Sequence, residues 1–175
     1  MKCRRPSIRR RREGAAAVEF ALVALPFFIL ILAILEIAVV LTVSALLESA
    51  TMNSGRLVRT GQVSETMTQA EFKAEICERM TVFKGQCLAR LYLDVRPVNT
   101  FSNPLVPDPI VKNPQGQTVF DEASTTFQAG KARDLMVVRV WYRQPTMTPF
   151  LNQAMSRVSG DTLLHATSAF RNEPY

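Results

Sequence analysis

Few side chains in this sequence could do covalent chemistry. Among its 175 residues there are one histidine, His165, and three cysteines, Cys3, Cys77 and Cys87. No G-x-S-x-G elbow and no phosphate-cradling glycine loop occurs, so nucleophilic and nucleotide chemistry lack visible machinery. No C-x-x-C spacing occurs either, and one histidine with scattered cysteines does not make a metal site. His165 falls on a strand pattern and is expected to pack or to hydrogen-bond. Carboxylates could pair in the fold, but no spacing picks out a catalytic couple. The one acid in an unusual setting is Glu19, in R-R-E-G-A-A-A-V-E-F. It lies just inside an apolar segment, five residues after Gly14, where an ionised carboxylate costs a few kcal/mol unless paired or near the surface.

The elements around Glu19 set the class of protein. Residues 1–13 hold seven of the 21 basic residues and only one of the 15 acids, Glu13. The remainder is electrically balanced, so the formal charge of +6 is that of the N-terminal tag. A nucleic-acid-binding surface is not indicated. From Ala15 to Leu47 the chain is apolar, with Glu19 and Glu36 its only charges. About 20 apolar residues suffice to cross a bilayer as helix, and this run exceeds that. The preceding arginines are expected to stay cytoplasmic under the positive-inside rule, with the rest of the chain across the membrane. A secretory signal has an apolar stretch of only about 7–15 residues, so that reading fits poorly. Ala17, Ala21 and Ala24 would allow close helix approach in lipid, and Pro26 should bend the helix near its preceding turn. Glu36 falls at the far interface.

The junction resembles the prepilin signature: a basic leader, Gly14, four residues, Glu19 with Phe20, then a long hydrophobic helix. The resemblance implies cleavage between Gly14 and Ala15 by a prepilin peptidase, a membrane-embedded aspartic peptidase that cuts on the cytoplasmic side. A small flexible glycine suits an extended backbone entering a peptidase cleft. The new amine on Ala15 would lie one helical turn from Glu19, and the family relation is that this glutamate meets the N-terminal amine of a neighbouring subunit. Ala15 and Glu19 would then register subunits against one another. The Glu19–Phe20 pair is the form typical of the tight-adherence (Tad, or Flp-pilus) branch.

Beyond the membrane the helical pattern continues to about residue 60, with Gly61 a stop signal. Thr68–Glu71, T-Q-A-E, is a capping box opening a second helix with Phe72, Ile76, Met80 and Phe83 on one face. The period then changes to two. Cys87–Val98 and Asp134–Gln144 alternate as strands, and a weaker strand spans about Thr162–Phe170. Residues 97–133 form a long proline-rich connection, with a short strand near Thr118–Phe120. Cys77 and Cys87 form an even pair beyond the membrane, where disulfides persist. They are either bridged, tying the second helix to the start of the first strand, or two buried thiols. The expected plan is α+β: a long N-terminal transmembrane and spine helix packed on a small antiparallel sheet. Its parts are a basic leader at 1–14, a transmembrane helix at 15–43 and an external domain at 44–175.

These features, with the closing A-F-R-N-E-P-Y, resemble TadE-like minor pseudopilins of the TadE/TadF family over nearly the whole chain. The resemblance implies a non-enzymatic role in assembling Tad pili, and hence in adherence and biofilm formation. It places the protein in a bacterial inner membrane as a single span, with a cytoplasmic N-terminus and a periplasmic head, in the pilus or its assembly complex. Implied partners are the membrane, prepilin peptidase, other Tad pilins and pseudopilins, and assembly-platform proteins. No nucleic acid, small-molecule substrate, cofactor or metal is implied. The tail Arg171–Tyr175 suggests surface recognition or merely the finish of the last strand. The residues alone also admit an uncleaved single-span envelope protein with a structural or binding external domain.

Overall fold

The computed structural model describes the chain except residues 1–8, 64–65, 103, 147–157, 159 and 175. Cys3, much of the proposed leader and Tyr175 lie outside the described residues. The architecture is the expected α+β plan. Helix α1, Arg9–Arg59, runs unbroken through Gly14 and Pro26. It is followed by α2, Gln69–Arg79, a 3-10 turn, Thr81–Phe83, and a short α3, Lys84–Arg90. The strands are β1, Leu91–Val98; β2, Ile110–Lys112; β3, Thr118–Phe120; β4, Leu135–Gln144; and β5, Thr162–Arg171.

Strands β1, β4 and β5 form an antiparallel sheet with β4 in the centre. The even residues of β4, Met136, Val138, Val140 and Tyr142, are buried on the helical side. There they join Val43, Leu47, Ala50 and Val58 of α1 and Phe72 and Ile76 of α2 in one core. The periodicities of 3.6 and two thus bring one face of each element together. At Gly55 the helix approaches β5 so closely that a Cβ would meet Phe170 Cε1 at 3.1 Å and Ser168 Oγ at 3.2 Å. Gly55→Val is therefore expected to destabilise the head by about 1–3 kcal/mol through overpacking, read as a shifted urea midpoint for the full chain in micelles. An unchanged midpoint would mean that Phe170 swings aside freely.

The capping box forms as the spacing predicts. Glu71 N–H donates to Thr68 Oγ1 at 3.3 Å, and Thr68 N–H donates back to Glu71 Oε2 at 2.7 Å. The Thr68 amide, and then its hydroxyl, hold the Glu71 carboxyl below its usual range. A depressed folded pKa means that the stabilisation is present above the ordinary glutamate range and disappears as pH falls through the folded value. Amide exchange in the first turn of α2 is thus expected to accelerate on acidification, and Glu71→Gln should flatten that pH dependence. An unaltered profile in the variant would show that the carboxylate is not the cap.

One boundary differs from expectation. Lys84–Arg90 is helical, so β1 starts at Leu91 and not at Cys87. This segment has no β-branched residue, and Gln86, Leu88, Ala89 and Arg90 are good helix formers; the apparent alternation there is too short to decide. The Cys77 and Cys87 sulfurs are placed in disulfide geometry, with Cα atoms 5.6 Å apart. A bridge between them would therefore join α2 to α3, not to the first strand.

Candidate assembly helix and the buried charge cluster of the head

From Gly14 to Phe20 the junction residues are exposed on one helix. Gly14 is helical, and a Cβ there would meet nothing within 4 Å. The extended backbone that a peptidase cleft takes is therefore not the resting conformation of this turn. Any enzyme that cut here would have to unwind this turn, which glycine eases by about 1 kcal/mol relative to alanine. Ala15 and Glu19 are exposed at an i, i+4 spacing and share a helix face. Phe20 is 73% exposed. No described part of the head packs on these residues.

The same exposure continues along the shaft. Val18, Leu22, Val23, Leu25, Phe28, Leu30, Leu32 and Leu35 are all more than half exposed, and burial begins only at Val40. In water such a surface is a large unmet hydrophobic cost. The most apolar 18-residue window of the helix has a mean hydropathy of 2.9, and only 6% of it is buried. A core helix would be covered; this one is long and apolar enough to cross a bilayer and is bare. A single-pass membrane protein accounts for both facts.

In the head, sequence reasoning missed the most strongly bonded polar group. Asp94, on the sheet face opposite α1, is fully buried. Arg96 donates to it through Nε at 2.9 Å, and Arg139 through Nε at 3.0 Å and Nη2 at 2.8 Å. Thr126 N–H adds a bond at 2.9 Å. The two guanidiniums also reach the long connection: Arg96 to the Ser124 carbonyl and Arg139 to the Pro107 carbonyl, at 2.8 and 2.9 Å. Phe120, on the β2–β3 hairpin, stacks on Tyr92 with ring centres 4.2 Å apart and meets Trp141 edge-on. The connection is thus clamped over the second face of the sheet. Nearby, Arg143 bonds the Tyr92 hydroxyl and Asp161, which raise its pKa further. The available signal was compositional: the aromatic residues Tyr92 and Trp141 alternate in register with charged residues on the face away from the core.

His165 does not pack. It is exposed on β5 opposite Trp141 and borders an open groove of about 370 Å³ with Asp108 and Arg139. No group of three His, Cys, Asp or Glu residues able to hold a metal is found among the described residues. The tail finishes the strand: Asn172 N–H bonds the Asp134 carbonyl, its side chain bonds the Ala129 and Lys131 carbonyls, and Glu173 meets Arg59.

No curated protein and no solved structure matches the chain significantly. A family match is found for the helix that carries the junction: residues 14–56 match the TadE-like protein family, so the TadE-like resemblance holds from Gly14 through the apolar shaft into the head.

Proposed function

We propose that the protein is a minor pseudopilin of a Tad-type pilus assembly system, cut by prepilin peptidase after Gly14 and held in assembly by α1. The observation that carries this reading is the TadE-like match itself, which begins at Gly14 and follows the bare apolar helix. The role is structural: α1 supplies the membrane anchor and the contact to other pilus subunits, while the head stands beyond the bilayer and takes part in adherence and biofilm formation. The N-terminal tag would lie in the cytoplasm and the head in the periplasm, where Cys77 and Cys87 would be oxidised. Ala15 and Glu19 would register one subunit against the next.

A second reading, an uncleaved single-span envelope protein, is favoured by one fact: α1 is already helical across Gly14. N-terminal sequencing and intact mass of the protein from native membranes, without reducing agent, separate the two. The pseudopilin reading expects a start at Ala15 and a mass two hydrogens light. Recovery of the full chain from Met1 in cells with active prepilin peptidase would refute processing and leave a permanent anchor.

A further inference from the structure

We infer that the α2–α3 end of the head rests on the lipid headgroups of the membrane that α1 crosses. The inference rests on the membrane-spanning reading of α1 and adds a second contact to it. Two points fix the relative direction of α1 and β5. Gly55 lies against Ser168 and Phe170, and the Arg59 carbonyl accepts from Glu173 N–H. Both elements therefore run away from the bare shaft, and the start of β5 points back toward it. By register, Leu164 lies beside Tyr142 and Tyr142 beside Leu91. The beginning of β1, and α3 immediately before it, consequently occupy the shaft end of the head.

The heights agree with contact. Leu41 is the last strongly exposed apolar residue of the shaft, at 64%, and helical rise puts it about 21 Å from Gly55 along the axis. Leu91 lies five strand residues back from the Ser168–Phe170 level, about 13–16 Å after allowing for crossing of strand and helix. The start of β1 thus stands roughly 5–8 Å beyond the apolar belt, within the combined reach of a short helix and the headgroup layer. Helix α2 descends the same way: Gln69 bonds the Leu93 carbonyl, and Lys73 lies over the Tyr92 ring.

The chemistry of that end suits a lipid surface. On α3, Leu88 is 55% exposed, and Gln86 and Ala89 are exposed beside it. The two acids in the second half of α2 are neutralised, Glu75 by Arg79 and Glu78 by Lys84, while the third, Glu71, is tied into the cap at the opposite end of the helix. Among the described residues no carboxylate pairs with Arg90, which leaves its cation for phosphate. An apolar side chain flanked by an available cation is the pattern of an interfacial contact. The occupant is therefore the bilayer already entered by α1.

The test uses the full chain in vesicles of phosphatidylcholine and phosphatidylglycerol, with acyl chains brominated near the headgroup. Trp141 is the only tryptophan, so single probes are placed in a Trp141→Phe background. Leu88→Trp is expected to lose about half its fluorescence, as a ring in the interface should. Met52→Trp, exposed on α1 about 16 Å beyond Leu41, should be unaffected. Leu30→Trp, within the shaft, must be quenched by deeply brominated lipid. A quenched Leu30 probe with a silent Leu88 probe overturns the head contact alone. Quenching at both Leu88 and Met52 overturns the upright geometry and with it the inference, and a silent Leu30 probe overturns the spanning reading too. On the unmodified chain, a photoreactive-headgroup phosphatidylglycerol should label residues 84–90; labelling confined to α1 would contradict the contact.

Discussion

Asp94→Asn is expected to destabilise the head by about 3–5 kcal/mol, because it leaves two largely buried guanidiniums without their anion. Arg96 and Arg139 have side chains only 15% and 14% exposed, and the Asp94 side chain is wholly enclosed. The neutral amide keeps an oxygen to accept from the Thr126 amide, yet it cannot balance either cation. A loss of this size is a large part of the 5–15 kcal/mol that holds a typical domain folded. Unfolding should start at the β2–β3 hairpin, since Arg96 and Arg139 are what fasten the connection at Ser124 and Pro107. Trp141 reports the event directly: the Arg139 guanidinium lies 4.9 Å from its ring centre and Phe120 meets its edge. Urea unfolding of the full chain in micelles, followed by Trp141 fluorescence, should show a lower midpoint in Asp94→Asn. The triple variant Asp94→Leu, Arg96→Met, Arg139→Met should recover part of the loss, because apolar replacement removes the desolvated charges together. It should not recover all of it, since two loop carbonyls lose their donors. A single-variant change below about 1 kcal/mol would show that water reaches the cluster and that the pair behaves as a surface one.

The contrast between the two halves of the molecule explains what the sequence made legible. The shaft, the capped α2 and the alternating strands each repeat one physical signal, and each formed: Thr68 caps through Glu71, and Val138, Val140 and Tyr142 face the helices. The Asp94 cluster was not legible because alternation reports that a face is different, not that it is wet. Arg90, Tyr92, Asp94 and Arg96 alternate with core residues, but the connection after Val98 folds back over part of that face. Only long-range pairing, Asp94 with Arg139 and Phe120 with Trp141, shows that the face has a lid. Helix α3 escaped for a different reason. Seven residues give no usable period, and local helix propensity outweighed a short alternation. The junction was legible in residue type, and the residue types alone did not say that α1 would continue through Gly14.

Glu19→Gln should leave cleavage intact and abolish assembly. On the proposed reading the cut depends on Gly14 and the backbone around it, five residues away, whereas Glu19 acts only after the amine on Ala15 exists. Packing the shaft of one subunit against another removes both groups from water. The ammonium then needs a carboxylate, since an uncompensated charge in a low-dielectric bundle costs about 3–5 kcal/mol. At about 1.4 kcal/mol per decade, that is a loss of roughly 10²–10⁴-fold in association. Nothing in the isolated head would change, because Glu19 lies on a bare stretch of α1 and touches none of the core. Native gels and cross-linking of membranes should therefore show Glu19→Gln protein beginning at Ala15, folded, and migrating as a free subunit. Glu48→Gln, an exposed acid on the head portion of the same helix, should assemble as the unaltered chain does. If Glu19→Gln protein enters the assembly as well as that control, the carboxylate is a headgroup-level residue, and the register of neighbouring subunits must come from the apolar side chains of the shaft.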